Sequence, residues 1–158
     1  MTADHARKPG TTRIQIEVAA PTAAVWEVLC DPAGYPDFVP GAKYERDHDS
    51  EWPAPFTQLH HTIGWGPLAL RDVTKVEENV PGVSLTLIAG MSVLGTSAVR
   101  FTLEAVDEGH TRVGIEEWPV SGPIDRTWNR VFDGLMTARN QELLRRFRDL
   151  VEEKVRSR

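Results

Sequence analysis

From Arg13 to Val18 apolar and polar residues alternate, with Ile14, Ile16 and Val18 on one side and Arg13, Gln15 and Glu17 on the other. A period of two predicts a half-buried strand, because successive side chains leave a strand on opposite faces. Pro21 then suits the first turn of a helix, where its missing N–H costs nothing. Val25, Trp26, Val28 and Leu29 give that helix an apolar side. Asp31-Pro32 stops it, since the residue before a proline is pushed out of the helical region. Pro32 to Pro36 has room for a brief second helical turn, which Pro40-Gly41 ends.

Between Ala42 and Trp118 strand patterns recur at 42–48, 56–63, 68–78, 83–91, 96–106 and 111–118. Turn signals part them: Trp52-Pro53 to Pro55, Gly64-Trp65-Gly66-Pro67, Asn79 to Gly82, the stretch around Gly95, and Asp107-Glu108-Gly109. Connections this short favour antiparallel hairpins over crossover helices. After Gly122-Pro123 the period becomes helical, with Trp128, Phe132, Leu135, Met136, Leu143, Phe147 and Leu150 recurring to near the C-terminus. A helix of about 30 residues at ~1.5 Å each is a rod of roughly 45 Å, long enough to lie along a whole sheet.

The order strand, two short helices, six strands, long helix predicts an α+β fold. A seven-stranded, curved antiparallel sheet wraps around the C-terminal helix, because each has one apolar face to bury. Residues 1–11 read as a flexible tail and 12–156 as a single domain. A short helix broken by a Pro/Gly-rich turn leaves a gap that the sheet and the long helix close, a layout that makes a container for a small molecule.

Composition narrows the partners. The chain has 158 residues and a formal net charge of -5, which argues against general nucleic-acid binding. The basic residues of the last segment, among them Arg145, Arg146 and Arg148, read as a solvated helix face with pairs such as Glu142–Arg146. Cys30 is the sole cysteine, so no internal disulfide can form. No apolar run is long enough to cross a bilayer, and Met1 to Gly10 lacks the apolar core of a signal peptide. A cytoplasmic protein without stable membrane insertion is expected, as monomer or homodimer.

Three stretches carry a family resemblance: the opening strand followed by Ala20-Pro21…Val25-Trp26-Glu27-Val28-Leu29; Asp31-Pro32-Ala33-Gly34-Tyr35-Pro36-Asp37-Phe38-Val39-Pro40-Gly41; and Phe101-Thr102-Leu103-Glu104…Gly109-His110-Thr111-Arg112-Val113 ahead of the terminal helix. Over about residues 12–155 the chain resembles the START-like, helix-grip proteins of the polyketide cyclase/dehydrase and lipid-transport superfamily (SRPBCC). The resemblance implies the helix-grip fold and an internal cavity for a hydrophobic or polycyclic ligand. It spans aromatase/cyclases, sterol and lipid carriers, quinone-binding proteins and hormone receptors, and fold does not choose among them. The segment from Tyr35 to Gly41 also resembles the quinone-binding branch.

Candidate chemistry comes from polar residues on faces that are otherwise apolar. At 100° per residue Arg139 falls near Trp128, Phe132 and Leu135, in the apolar stripe of the last helix. Buried there it needs a carboxylate, a ligand or water; otherwise it snorkels along the sheet. Glu117 shares its side with Val113 and Ile115 and is a plausible partner, unless a bulge near Pro119 turns Trp118 inward instead. His60 and His61 point to opposite faces, and His61, in phase with Leu59 and Ile63, is the better inward candidate. It is either a general acid or base or a hydrogen-bonded structural histidine. Asp72 follows Leu68 and Leu70 in alternation and pairs with His61 if the register allows.

His61, Asp72, Glu117 and Arg139 are therefore the candidate catalytic residues. Trp26, Phe38, Leu87, Phe101, Trp128, Phe132, Leu135 and Met136 are candidate cavity walls, where aromatic faces suit a planar ligand. Trp65, on a hairpin tip, is either a lid or a turn residue folded back on the sheet. Nucleophile-elbow, phosphate-loop, dinucleotide and paired-ligand metal patterns are lacking, and no metal or redox cofactor is expected. Two functions fit: a cyclase or dehydratase that holds a flexible chain folded and moves protons, or a carrier or sensor for a lipid, sterol or quinone.

Overall fold

The computed structural model describes residues 11–64, 67–90, 92–127 and 129–158. The expected flexible tail up to residue 10, the Trp65 tip and the Trp128 wall fall outside them. The elements run β1 (Thr12–Val18), α1 (Thr22–Cys30), a 3-10 turn at Pro32–Gly34, α2 (Tyr35–Phe38), β2 (Ala42–His48), β3 (Gln58–Ile63), β4 (Leu70–Val80) and β5 (Ser84–Gly90). After a second 3-10 turn at Ser92–Leu94 come β6 (Thr96–Asp107), β7 (His110–Ser121), α3 (Pro123–Thr127) and α4 (Arg130–Arg156). The seven strands form one open, curved antiparallel sheet ordered β1-β7-β6-β5-β4-β3-β2. Each neighbour in the series from β2 to β7 is also next in sequence, as the short turns require. The exception is β1, which crosses to β7 and pairs Ile14 with Ile115 and Val18 with Thr111.

The local reasons are those of the sequence, with one break added. Pro21 caps α1 from an extended conformation, and the Asp31 carboxylate accepts from Ala33 N at 3.0 Å to start the 3-10 turn. The expected uninterrupted terminal helix is two helices. Asn129 is extended, and its side chain accepts from both Val131 N and Phe132 N at 3.0 Å, satisfying two of the donors left open at a helix start. That cap sets α4 apart from α3.

Residues Met136, Asn140, Leu143, Leu144, Phe147 and Val151 form the buried face of α4. Of these, Leu143, Leu144, Phe147 and Val151 pack with Val25, Val28 and Leu29 of α1 and with Leu85, Leu87, Val99, Phe101, Val113 and Ile115 of the sheet. Phe147 is fully buried, its ring 5.1 Å edge-on from Phe38. The closest backbone approaches of α4 are to β1 and α2.

This corrects the placement of the apolar stripe. At 100° per residue the buried line lies about 90° around the helix from the expected centre near Arg139. Leu135, expected as a wall, is 63% exposed on the outer flank, and Phe132 is half-buried. The expected stripe averaged in residues near the start of the helix, whereas the sheet contacts its later turns.

At the other edge of the sheet, β2 carries two register irregularities, between Ala42 and Tyr44 and between Glu45 and Asp47. Among the described residues no helix is long and apolar enough to cross a membrane.

Candidate functional site

Strand register decides which polar side chains share the concave face. On β3 and β4, Leu59 lies opposite Thr74 and His61 lies opposite Asp72. Directly opposed residues on one face hold their Cβ atoms about 4.5–5.5 Å apart, so the two side chains leave the sheet side by side. His61 is 3% exposed and Asp72 9%. His60, by alternation, takes the convex face. The carboxylate of Asp72 folds toward its own strand, where Oδ1 accepts from Val73 N at 2.8 Å. Gly90 makes room for it: a Cβ there would stand 1.8 Å from Asp72 Oδ1.

Over this pair lies Tyr35. The single turn of α2 closes through Val39 N donating to Tyr35 O at 3.0 Å. Residues three apart on a turn share a side, and Tyr35 and Phe38 both pack inward, rings 5.7 Å apart. The Tyr35 ring stands 5.3 Å from that of His61, and its hydroxyl lies 3.4 Å from Thr74 Oγ1. Burial raises the phenol above its ordinary range. The Thr74 hydrogen bond and the Arg139 charge pull it down, while Glu117 and Asp72 push it further up. The phenol is therefore a protonated donor at neutral pH, within electrostatic reach of three of the four candidate catalytic residues.

The second group forms where β7 meets α4. Val113, Ile115 and Glu117 alternate inward, and Glu117 is 2% exposed. A bulge near Pro119 does exist, since Ser97 pairs with Pro119 but Thr96 with Ser121. It falls beyond Glu117 and leaves that residue's direction intact. Trp118 takes the convex face, 5.6 Å from the Arg100 guanidinium.

Donors surround the Glu117 carboxylate. Ser97 Oγ donates to Oε1 at 2.8 Å, and Asn140 Nδ2 donates to Oε2 at 2.8 Å. Arg139 Nη1 lies 3.6 Å from Oε2 and donates to Asn140 Oδ1 at 3.2 Å. Asn140 also reaches Thr12 Oγ1 at 3.3 Å, tying β1 to the cluster. The Glu117 carboxylate thus accepts on both oxygens and faces Arg139.

The four candidate catalytic residues thus occupy one concave surface in two pairs, His61 with Asp72 and Glu117 with Arg139. Between the pairs run the small and aliphatic side chains of β5 and β6, including Leu87, Ala89 and Val99. Among the expected walls, Phe38, Leu87, Phe101 and Met136 are buried in the molecule, and Trp26 packs half-buried against the core from α1.

Comparison with solved structures confirms the architecture. The Zhui aromatase/cyclase from Streptomyces sp. R1128 superposes with a TM-score of 0.71 at 14% identity, covering 92% of this chain and 94% of that one. A START superfamily protein from Mycobacterium smegmatis gives 0.70 at 16% identity, covering 90% and 97%. The fold is START-like. The di-domain ARO/CYC BexL of the BE-7585A biosynthetic pathway gives 0.72 at 14% identity over 90% of this chain, which matches 46% of its length. No family model matches the sequence, and no curated protein does. At these identities the likeness is one of fold.

Sequence reasoning missed Tyr35, Thr74, Ser97 and Asn140. Asn140 carried a usable signal, because it sits four residues after Met136 and three before Leu143, at the centre of the buried stripe. Ser97 and Thr74 carried none, since small hydroxyl residues are ordinary on either face of a strand.

Proposed function

We propose that the protein binds a small hydrophobic or aromatic ligand between the concave face of the sheet and α4, and acts on it as a cyclase/dehydratase of the polyketide cyclase kind. The observation that carries this reading is the burial of His61 beside Asp72 and under Tyr35, on the same face as the Glu117–Arg139 pair. A carrier needs an apolar lining and no such array. The kinship of fold with two aromatase/cyclases supports the reading without deciding it.

In the reaction proposed, an apolar chain bearing several carbonyl groups is held bent, which converts an encounter into an intramolecular step. His61 takes a proton from a carbon flanked by two carbonyls. The resulting enolate carbon bonds to a second carbonyl carbon, whose oxygen receives a proton from the Tyr35 hydroxyl. The protonated His61 gives its proton to that new hydroxyl as it leaves as water, the Tyr35 phenolate takes the adjacent C–H proton, and a double bond remains. Asp72 orients the imidazole and stabilises its protonated form.

The test is incubation with a linear poly-β-ketone thioester, following the ring product by absorbance and mass. Wild type should yield a cyclised product lighter by one water, and His61→Gln and Tyr35→Phe should lose it while remaining folded. Native mass spectrometry of protein purified from its own host supplies the competing outcome. An unchanged lipid, sterol or quinone retained by a protein that turns over no ketide would replace the enzyme reading with a carrier. Exposed Leu68, Leu70 at the start of β4, and Val93 and Leu94 of the second 3-10 turn are the feature that favours that second reading.

A further inference from the structure

Arg139 is held by one nitrogen. Its Nη1 donates to Asn140 Oδ1 and faces Glu117, while among the described residues Nε and Nη2 take no hydrogen bond or ion pair. Glu117 does not need them, because Ser97 and Asn140 already donate to both of its oxygens. The side chain is 34% exposed. It therefore stands at the rim of the concave surface, reachable from solvent yet pinned from behind by two fully buried partners. Its Nη1 lies 3.6 Å from Oε2 of Glu117, a residue of β7, so the guanidinium is turned to the sheet side of α4.

We infer that the ligand carries a carboxylate, and that the Nε–Nη2 edge of Arg139 receives it. Two parallel N–H donors in one plane match the two oxygens of a carboxylate, a geometry that a lone carbonyl or hydroxyl fills by half. The apolar body of such an acid would extend along Leu87, Ala89 and Val99 toward His61. With a net charge of -5 the protein as a whole repels anions, so selection for an acid has to be made locally, at a cation fixed in place. This inference rests on the ligand-binding reading above and adds the chemical class of the ligand's polar end.

The test uses two acid–ester pairs as probes, 2-naphthoate with its methyl ester and cis-parinarate with its methyl ester, titrated against the whole protein by fluorescence. For at least one pair, wild type should bind the acid about tenfold or more tighter than the ester, the range of one charge-assisted bidentate contact. Arg139→Gln should bring acid and ester within about twofold of one another by weakening the acid, and Arg139→Lys should fall between, keeping charge but losing the fork. Near-ultraviolet circular dichroism checks that the variants keep their packing. Equal binding of acid and ester by wild type, or a preference that survives in Arg139→Gln, overturns the inference and leaves the ligand-binding reading standing. Failure of all four probes to bind overturns both.

Discussion

Replacing Asn140 by leucine tests whether the Glu117 cluster is a unit. Asn140 is fully buried and donates to Glu117 Oε2 at 2.8 Å and to Thr12 Oγ1 at 3.3 Å. Leucine has the same branched four-atom side chain and is somewhat larger, so no cavity forms and the loss combines the hydrogen bonds with a little overpacking. A hydrogen bond to a charged group contributes about 1.5–3 kcal/mol, and Glu117 keeps Ser97 and the longer Arg139 contact as compensation. The single variant should therefore lose about 2 kcal/mol, or roughly 4–8 °C in Tm for a chain of this size. Adding Glu117→Met removes the carboxylate that the change stranded, and replacing both partners of a buried polar contact by apolar groups of similar shape is close to neutral. The double variant should then be no less stable than Asn140→Leu alone, a coupling of at least about 1 kcal/mol in a double-mutant cycle. Urea unfolding of wild type, both singles and the double measures it. Losses that simply add, or an Asn140→Leu variant as stable as wild type, would refute the claim that Asn140 is what satisfies the carboxylate.

Two glycines should respond differently to alanine. At Gly95, whose φ is +113°, a Cβ would meet Ser121 O at 1.9 Å, a backbone atom that cannot swing aside, so Gly95→Ala should cost several kcal/mol by thermal unfolding, roughly 3 or more. At Gly90 the obstacle is the movable end of Asp72, so Gly90→Ala should fold with a smaller loss while the Val73 amide shifts in the NMR spectrum as its acceptor departs. At the β6–β7 turn, the Asp107 hydrogen bond raises the His110 pKa, and His110 lowers that of Asp107. A raised histidine stabilises below its unfolded pKa and loses that as pH rises through its folded value; a lowered aspartate stabilises above its unfolded pKa and loses that as pH falls through its folded value. The contact is thus complete between about pH 4 and pH 6.5, near the ordinary values of the two groups, and Asp107→Asn should lower the His110 titration midpoint followed by NMR. Burial pushes the Cys30 thiol up to about 11, so at pH 8 its thiolate fraction, and with it its rate with a disulfide reagent, should be about two orders of magnitude below that of free cysteine.

The fold was legible because its elements are amphipathic with different periods. Alternation marked Ile14 to Val18 and the later strands, and helical spacing marked Leu143 to Leu150. The facing of His61 was legible for the same reason, since Leu59 and Ile63 bracket it. The opposition of His61 to Asp72 was not, because hairpin register depends on turn geometry between residues 63 and 70 that composition alone leaves undetermined. The rotation of α4 about its own axis was misread for a related cause: a stripe in sequence becomes a face only once its partner is known. Leu135, part of the expected stripe, is 63% exposed, while Asn140 takes the centre because the buried Glu117 carboxylate gives it a partner.

Strand β1 has its neighbour in the sheet about a hundred positions further along, at Thr111 to Glu117. On a ribosome β1 must wait for about a hundred further residues before it can dock, and α4, which leans on that same strand, is made later still. Closure of the sheet's far margin is therefore the late, high-contact-order event of folding, and until it happens Ile14 and Ile16 are surfaces that a chaperone or another nascent chain can find.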